Sequence, residues 1–363
     1  MPNRKILLAL LAVSLTTAAL SAQTTPSPAL LVLSKADQTL AIVDPSTLKV
    51  IARIPSGPDP HEVIASTDGK FAYISNYGGG AYNTISIADL TTQKALPAVD
   101  LGALRGPHGL DFRGGKVWFT AEANKVIGSY DPAEKKVDWV LGTGQNRTHM
   151  IFVFDDLRRI ITSNVSSATM SFIERIPAGG PGSGRGAPGA GGPPPGVPND
   201  RGPAPGPPRG SPQGDWDETV VPVGRGAEGF DLSPSGKELW AANAQDGTIS
   251  VVDVPAKKVV QTLSANVRSA NRLKFTPDGK LVFVSTLGGP DLIILDAATR
   301  REVKRVKIGR GAAGILMQPD GARAFVSCTP DDYVVVVDLK SLEVTAHIQA
   351  GKQPDGLAWA VRQ

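Results

Sequence analysis

One four-strand pattern recurs along this chain, and it restricts the fold more than any bulk property does. The clearest copy runs from Pro222 to Leu263. Gly224-Arg225-Gly226 turns the chain into a short strand, Gly229-Phe230-Asp231-Leu232, and Pro234-Ser235-Gly236 turns it again. Three more strands follow: Leu239-Trp240-Ala241-Ala242-Asn243, Thr248-Ile249-Ser250-Val251-Val252-Asp253 and Val259-Val260-Gln261-Thr262-Leu263. Most are rich in β-branched or aromatic residues, and all are bounded by Gly, Pro, Asp or Asn, as strands should be.

The same order returns elsewhere. The turn between first and second strands reappears as Asp68-Gly69, Pro277-Asp278-Gly279 and Pro319-Asp320-Gly321. Third strands recur as Thr84-Ile85-Ser86-Ile87-Ala88-Asp89, Leu292-Ile293-Ile294-Leu295-Asp296 and Val334-Val335-Val336-Val337-Asp338. First strands start at His61, His108, His149, Glu228, Asn271, Ala313 and Asp355, spaced 41 to 47 positions apart with one exception. A period in the forties that carries four strands is a propeller blade. Three strands stand at the start of the repeats, from Leu30, Thr39 and Val50, and a lone first strand, Gly356 to Ala360, stands at the end. Joining them closes the ring and protects both edges. The expected fold is all-β: a seven-bladed β-propeller of four-stranded blades, with one C-terminal strand completing three N-terminal ones.

The exceptional gap, from His149 to Glu228, spans 79 positions. Residues from about 178 to 214 are dominated by Gly and Pro and cannot bury a core, so a disordered loop insertion is expected. It falls between a third and a fourth strand, and long surface loops cost little, so a tolerated insertion is the simpler account than a partner-binding tail. At the start, Arg4 and Lys5 precede an apolar run from Ile6 to Leu15 and a small-residue stretch ending near Ala22. That is the layout of a secretory signal peptide, too short in its apolar part for a comfortable membrane span. The expected organisation is a leader over 1–22 and one propeller over 23–363, periplasmic or secreted and monomeric. Cys328 is the sole cysteine, so no intramolecular disulfide can form. Without Arg4 and Lys5 the formal charge falls from +4 to +2. That balance offers no electrostatic case for nucleic acid.

The second-strand signature Tyr73-Ile74-Ser75-Asn76 has echoes in Ile161-Thr162-Ser163-Asn164 and Trp240-Ala241-Ala242-Asn243. It resembles the repeat of YVTN-family β-propellers, over the whole expected mature chain apart from the insertion. The Gly-His and Trp-Asp dipeptides of WD repeats do not recur, and the tryptophan-docking repeats of quinone-cofactor dehydrogenases are absent. The resemblance implies an exported bacterial propeller and assigns no chemistry.

First strands line the channel of a propeller, so three columns of residues are expected around one mouth. The first holds His61, His108, His149, Glu228, Asn271, Ala313 and Asp355, and so three of the four histidines of the chain. Imidazole and carboxylate are ligands for zinc and similar divalent ions. His61, His108, His149 and Glu228 are therefore the candidate metal ligands. The structural alternative is a set of histidines that cap backbone groups. The second column, at the ends of second strands, is taken as Lys35, Asn76, Glu122, Asn164, Asn243, Thr286 and Cys328. Asparagine there closes a turn through its amide. Glu122 departs from the pattern, and Glu122 or Asp355 is the candidate general base of an enzyme. The third column supplies cations, Arg105, Arg225, Arg268, Arg310 and Lys352, with Arg147 beside Asn146. With Asn271 these are the candidate ligand-binding residues, since a ring of cations gathers anions and arginine forks onto carboxylate or phosphate. Solvated loop arginines are the plain alternative.

Two functions follow. The first is a binding or scaffold module for an anionic small molecule or an acidic partner peptide. The second is a metal-dependent hydrolase or lyase, similar in kind to propeller lactonases and streptogramin lyases. No Gly-x-Ser-x-Gly elbow, phosphate-binding loop, His-Glu-x-x-His or haem-attachment cysteine pair is present.

Overall fold

The computed structural model describes residues 24–176, 215–266 and 268–362. The expected leader and the Gly/Pro-rich insertion lie outside the described residues.

Seven four-stranded antiparallel sheets form the ring. Blade 1 pairs Pro354–Ala360 with Ala29–Ser34, followed by Thr39–Asp44 and Lys49–Pro55. The expected closure by a single C-terminal strand is therefore present. Blades 2 to 7 begin with the inner strands Pro60–Ala65, Pro107–Arg113, Thr148–Val153, Ala227–Leu232, Ala270–Phe275 and Ala312–Met317. In blade 4, Thr169–Ile176 pairs with Asp215–Pro222 across the interruption, so the insertion joins a third strand to a fourth.

Burial explains the strand patterns. Second and third strands are sandwiched between neighbouring blades, so both of their faces must be apolar. Ala29–Ser34 is buried throughout, and Val334 to Val337 are fully buried. The outer strands face water on one side, and Lys136–Gly142 alternates accordingly. Each blade seam is a core of its own. Leu33, Ile42 and Ile54 of blade 1 pack with Val63 and Ile74 of blade 2, and Trp240 and Val251 of blade 5 pack with Leu273 and Val284 of blade 6.

Every inner strand breaks register where the expected first column stands, for example between Pro60 and Val63 and between Pro107 and Leu110. Such a bulge re-aims side chains at the rim of a barrel-like channel. The second strand fills the gap. Ser75 Oγ accepts from Glu62 N and donates to the His108 carbonyl at 2.8 Å, joining blade 2 to blade 3. Thr120 does the same for Gly109 and His149, and Ser163 for Met150 and Glu228. The next residue, Asn76 or Asn164, donates its amide to a Thr and a Ser of the third strand at 2.8–3.1 Å. The Ser-Asn half of the signature is thus a stitch between blades followed by a clasp within one.

Candidate functional site

The bulges and stitches present the first-column side chains to one cavity of about 450 Å³ at the channel mouth. His61, His108, His149, Glu228, Asn271, Ala313 and Asp355 all line it. The second column needs a correction. Pairing sets Asn76 opposite Pro60, Ala121 opposite Pro107 and Ser34 opposite Pro354. Lys35 and Glu122 therefore stand one residue beyond Asn76, level with Tyr77, Leu287 and Thr329. That later position is the one that reaches the site: Lys35, Tyr77, Leu287 and Thr329 line the cavity.

Two polar groups occupy the mouth. In one, His149 is buried with Nδ1 hydrogen-bonded to Glu122 and Nε2 2.8 Å from Glu228 Oε2, out of line for a good hydrogen bond. Tyr77 donates its hydroxyl to Glu122 at 2.5 Å, and Arg147 Nε lies 3.5 Å from the same carboxylate. The His108 ring lies tilted against that of His149 with centroids 3.7 Å apart, and its Nδ1 is buried without a hydrogen-bond partner among the described residues. In the other group, Lys35 Nζ lies 2.8 Å from His61 Nδ1, 3.1 Å from Asp355 and 3.4 Å from Asp59. His61 contacts the His108 ring edge-on, 4.5 Å between centroids.

Charge at these groups follows from competition between burial and neighbours. Burial works against charge on His149, but Glu228 and Glu122 outweigh it and raise its pKa. Burial lowers His108 well below the ordinary imidazole value, and His149, His61, Arg272 and Lys35 push the same way, which keeps it neutral. Burial would raise Glu228, yet His149, Arg272 and Arg147 hold it at about 2. Glu122 is lowered in the same contest by His149, Tyr77 and Arg147. Burial and the Glu122 carboxylate raise the Tyr77 phenol, which stays protonated.

Arg272, beside Asn271 on the inner strand of blade 6, also lines the cavity. Its side chain is 13 % exposed, Nη2 meets Glu62 Oε1 at 2.6 Å, and Nη1 is buried without a partner among the described residues. A sequence signal for it existed. The equivalent positions in four other blades are Gly109, Gly229, Gly314 and Gly356, where a Cβ would stand 2.4–2.7 Å from the neighbouring blade's backbone carbonyl. With Met150 at the remaining position, a Glu and an Arg in that otherwise uncharged column mark an ion pair between non-adjacent blades, 2 and 6.

The loop cations are placed differently. Arg105, Arg225, Arg268, Arg310 and Lys352 are exposed and none lines the cavity, whereas Arg147 and Asn271 do. Arg225 gives both its backbone N–H and its Nε to Asp246 at 2.7 Å, and Arg310 repeats the arrangement with Asp331.

Of the four expected metal ligands, the structure groups His108 and His149 with Glu122. His61 is occupied by Lys35, Asp59 and Asp355, and Glu228 by His149. Two imidazoles and a carboxylate suit zinc, and the unpartnered His108 Nδ1 is a free donor for an ion, so this trio fits a divalent metal.

No family model and no curated protein matches this chain. Solved structures do. A functionally unknown protein from Desulfotomaculum acetoxidans aligns over 93 % of this chain and all of its own, with a TM-score of 0.70 and 12 % identity. A candidate 6-phosphogluconolactonase from Bacteroides uniformis aligns over 92 % of this chain and 99 % of its own, at 0.70 and 15 % identity. A second candidate 6-phosphogluconolactonase, from Bacteroides fragilis, gives 0.67 and 15 % over 93 % and 99 %. At such identities the likeness establishes a shared propeller fold.

Proposed function

We propose that this chain is an exported, YVTN-type propeller that hydrolyses small lactones or esters at its channel mouth. One observation carries the reading: two buried polar atoms without a partner among the described residues, His108 Nδ1 and Arg272 Nη1, belong to side chains lining one cavity. Buried polar atoms are normally paired, so two unpaired ones at one cavity mark a place where a ligand supplies the partners. Two of the structural relatives are candidate 6-phosphogluconolactonases, which favours lactones as the first class to try. Export rests on the leader-like residues 1–22 and the family type on the second-strand signature.

The residues divide the work as follows. His108, kept neutral, accepts a proton from the attacking water at Nδ1. Cationic His149, fixed by Glu122 and Glu228, and Arg147 stabilise the oxyanion that forms on the carbonyl. The ring C–O bond then breaks, and His108 returns the proton to the departing oxygen, leaving a hydroxy acid. A divalent ion held by His108, Glu122 and a deprotonated His149 would take the place of that imidazolium and supply Lewis-acid polarisation of the carbonyl.

The test is a panel of lactones and esters assayed beside calorimetric binding of the corresponding hydroxy acids. Hydrolysis that falls by about 10²–10⁴-fold in His108→Ala, with product binding retained, supports the proposal. Elemental analysis of the same preparations reports on the metal. A second reading, a binding module for anionic small molecules or acidic peptides, is favoured by the grip of two carboxylates on His149, which fixes its proton in place. Tight product binding with no turnover of any lactone or ester would select it and end the hydrolase reading.

A further inference from the structure

The wall of the cavity changes chemistry with blade number. At the position just past the second strand, blades 1 to 3 supply Lys35, Tyr77 and Glu122, but blade 6 supplies Leu287. In the first column, imidazoles and a carboxylate stand in blades 2 to 5, and blade 7 supplies Ala313. Leu287, Ala313 and Pro330, with Thr329 beside them, thus form a mostly apolar wall across the ring from the histidines. Leu287 remains 50 % exposed there. A branched aliphatic group left half in water at a ligand cavity is covered favourably by an apolar surface, not by hydroxyls.

Arg272 lines the same cavity, with Glu62 on Nη2 and with Nη1 buried and unpartnered among the described residues. A guanidinium in that condition takes a carboxylate oxygen. The cavity of about 450 Å³ is of small-molecule size.

Resting on the mouth as a small-molecule site, we infer that its ligand is amphipathic: a small carboxylate with an apolar body, not a polyhydroxylated sugar acid. The carboxylate sits on Arg272 Nη1 and the apolar body lies on Leu287, Ala313 and Pro330. A lactone of this class carries an alkyl or aryl substituent in place of ring hydroxyls.

Calorimetry with butanoate, pentanoate, hexanoate and gluconate tests this on the intact protein. Affinity should rise about fourfold with each added methylene, the factor expected when one CH₂ leaves water. Leu287→Ser, an exposed position that leaves the core intact, should flatten this gradient, weakening hexanoate more than butanoate. Arg272→Met and the gentler Arg272→Lys should weaken all four acids. Gluconate binding more tightly than hexanoate, or a gradient untouched by Leu287→Ser, overturns the inference but leaves the mouth site standing so long as the Arg272 variants still weaken binding. If no acid binds in an Arg272-dependent way, both the inference and the site fail.

Discussion

Two sets of cations surround the same mouth, and the chain uses them in opposite ways. Arg272 comes from an inner strand, is 13 % exposed and spans the ring to Glu62. Arg225 and Arg310 come from entry loops, are each 73 % exposed and clasp an aspartate of their own blade. The strand residues are held by bulges and inter-blade hydroxyl stitches, so their side chains are delivered to a fixed point near the axis. The loop residues are free to find a local partner, and they do. In a propeller, position relative to the inner-strand bulge matters more for reaching the channel than charge or face.

The most damaging way to probe this difference is to cut the strand pair. Arg272→Met leaves Glu62, 17 % exposed, without its partner. Breaking a buried ion pair from one side typically costs about 3–5 kcal/mol, whereas replacing both members by apolar groups is often nearly neutral. Urea unfolding should therefore show a large loss for Arg272→Met and recovery in Glu62→Met/Arg272→Met. If the single variant were as stable as the parent, the pair would be no more structural than a loop clasp, and the contrast would collapse.

The glycine column tests whether the inner strands need their close approach. A Cβ at Gly314 would come within 2.4 Å of the Asp355 carbonyl, while one at Gly142 meets nothing within 4 Å. Gly314→Ala should destabilise by about 1–3 kcal/mol, the usual range for overpacking, with Gly142→Ala close to neutral. Equal melting temperatures for the two would mean that the seam between blades 7 and 1 yields easily.

The fold was legible because repetition makes it so. Each blade restates its strand and turn signals, so the period, the blade number and the closing strand can be read from seven noisy copies. The site was less legible because a single residue of register decides what faces the channel. Counting Lys35 and Glu122 level with Asn76 placed them beside asparagines that point into the blade, and it hid Tyr77 and Leu287. Composition could not separate Arg272 from the loop arginines. Only the mostly glycine positions equivalent to it in the other blades do so, because small residues there report how close the inner strands run. Nor does sequence foretell that Glu122 is buried and claims one nitrogen of His149, leaving Glu228 to the other.

The smallest expected effect lies at the rim. Arg225→Ala/Arg310→Ala removes two formal charges from the face that bears the mouth, but it removes nothing that lines the cavity. Exposed ion pairs contribute little because water already screens them, and their long-range pull on an anion fades within about 10 Å at 0.1 M salt. The melting temperature should therefore match the parent's, and hexanoate affinity at that ionic strength should not change. At roughly 0.01 M salt the screening length stretches to about 30 Å, and there the double variant should bind the anion more slowly, with an unchanged dissociation rate. Stopped-flow binding at the two salt levels separates these effects. A faster dissociation in the variant would place the loop arginines in contact with the ligand, and the division between strand and loop cations would then have to be redrawn.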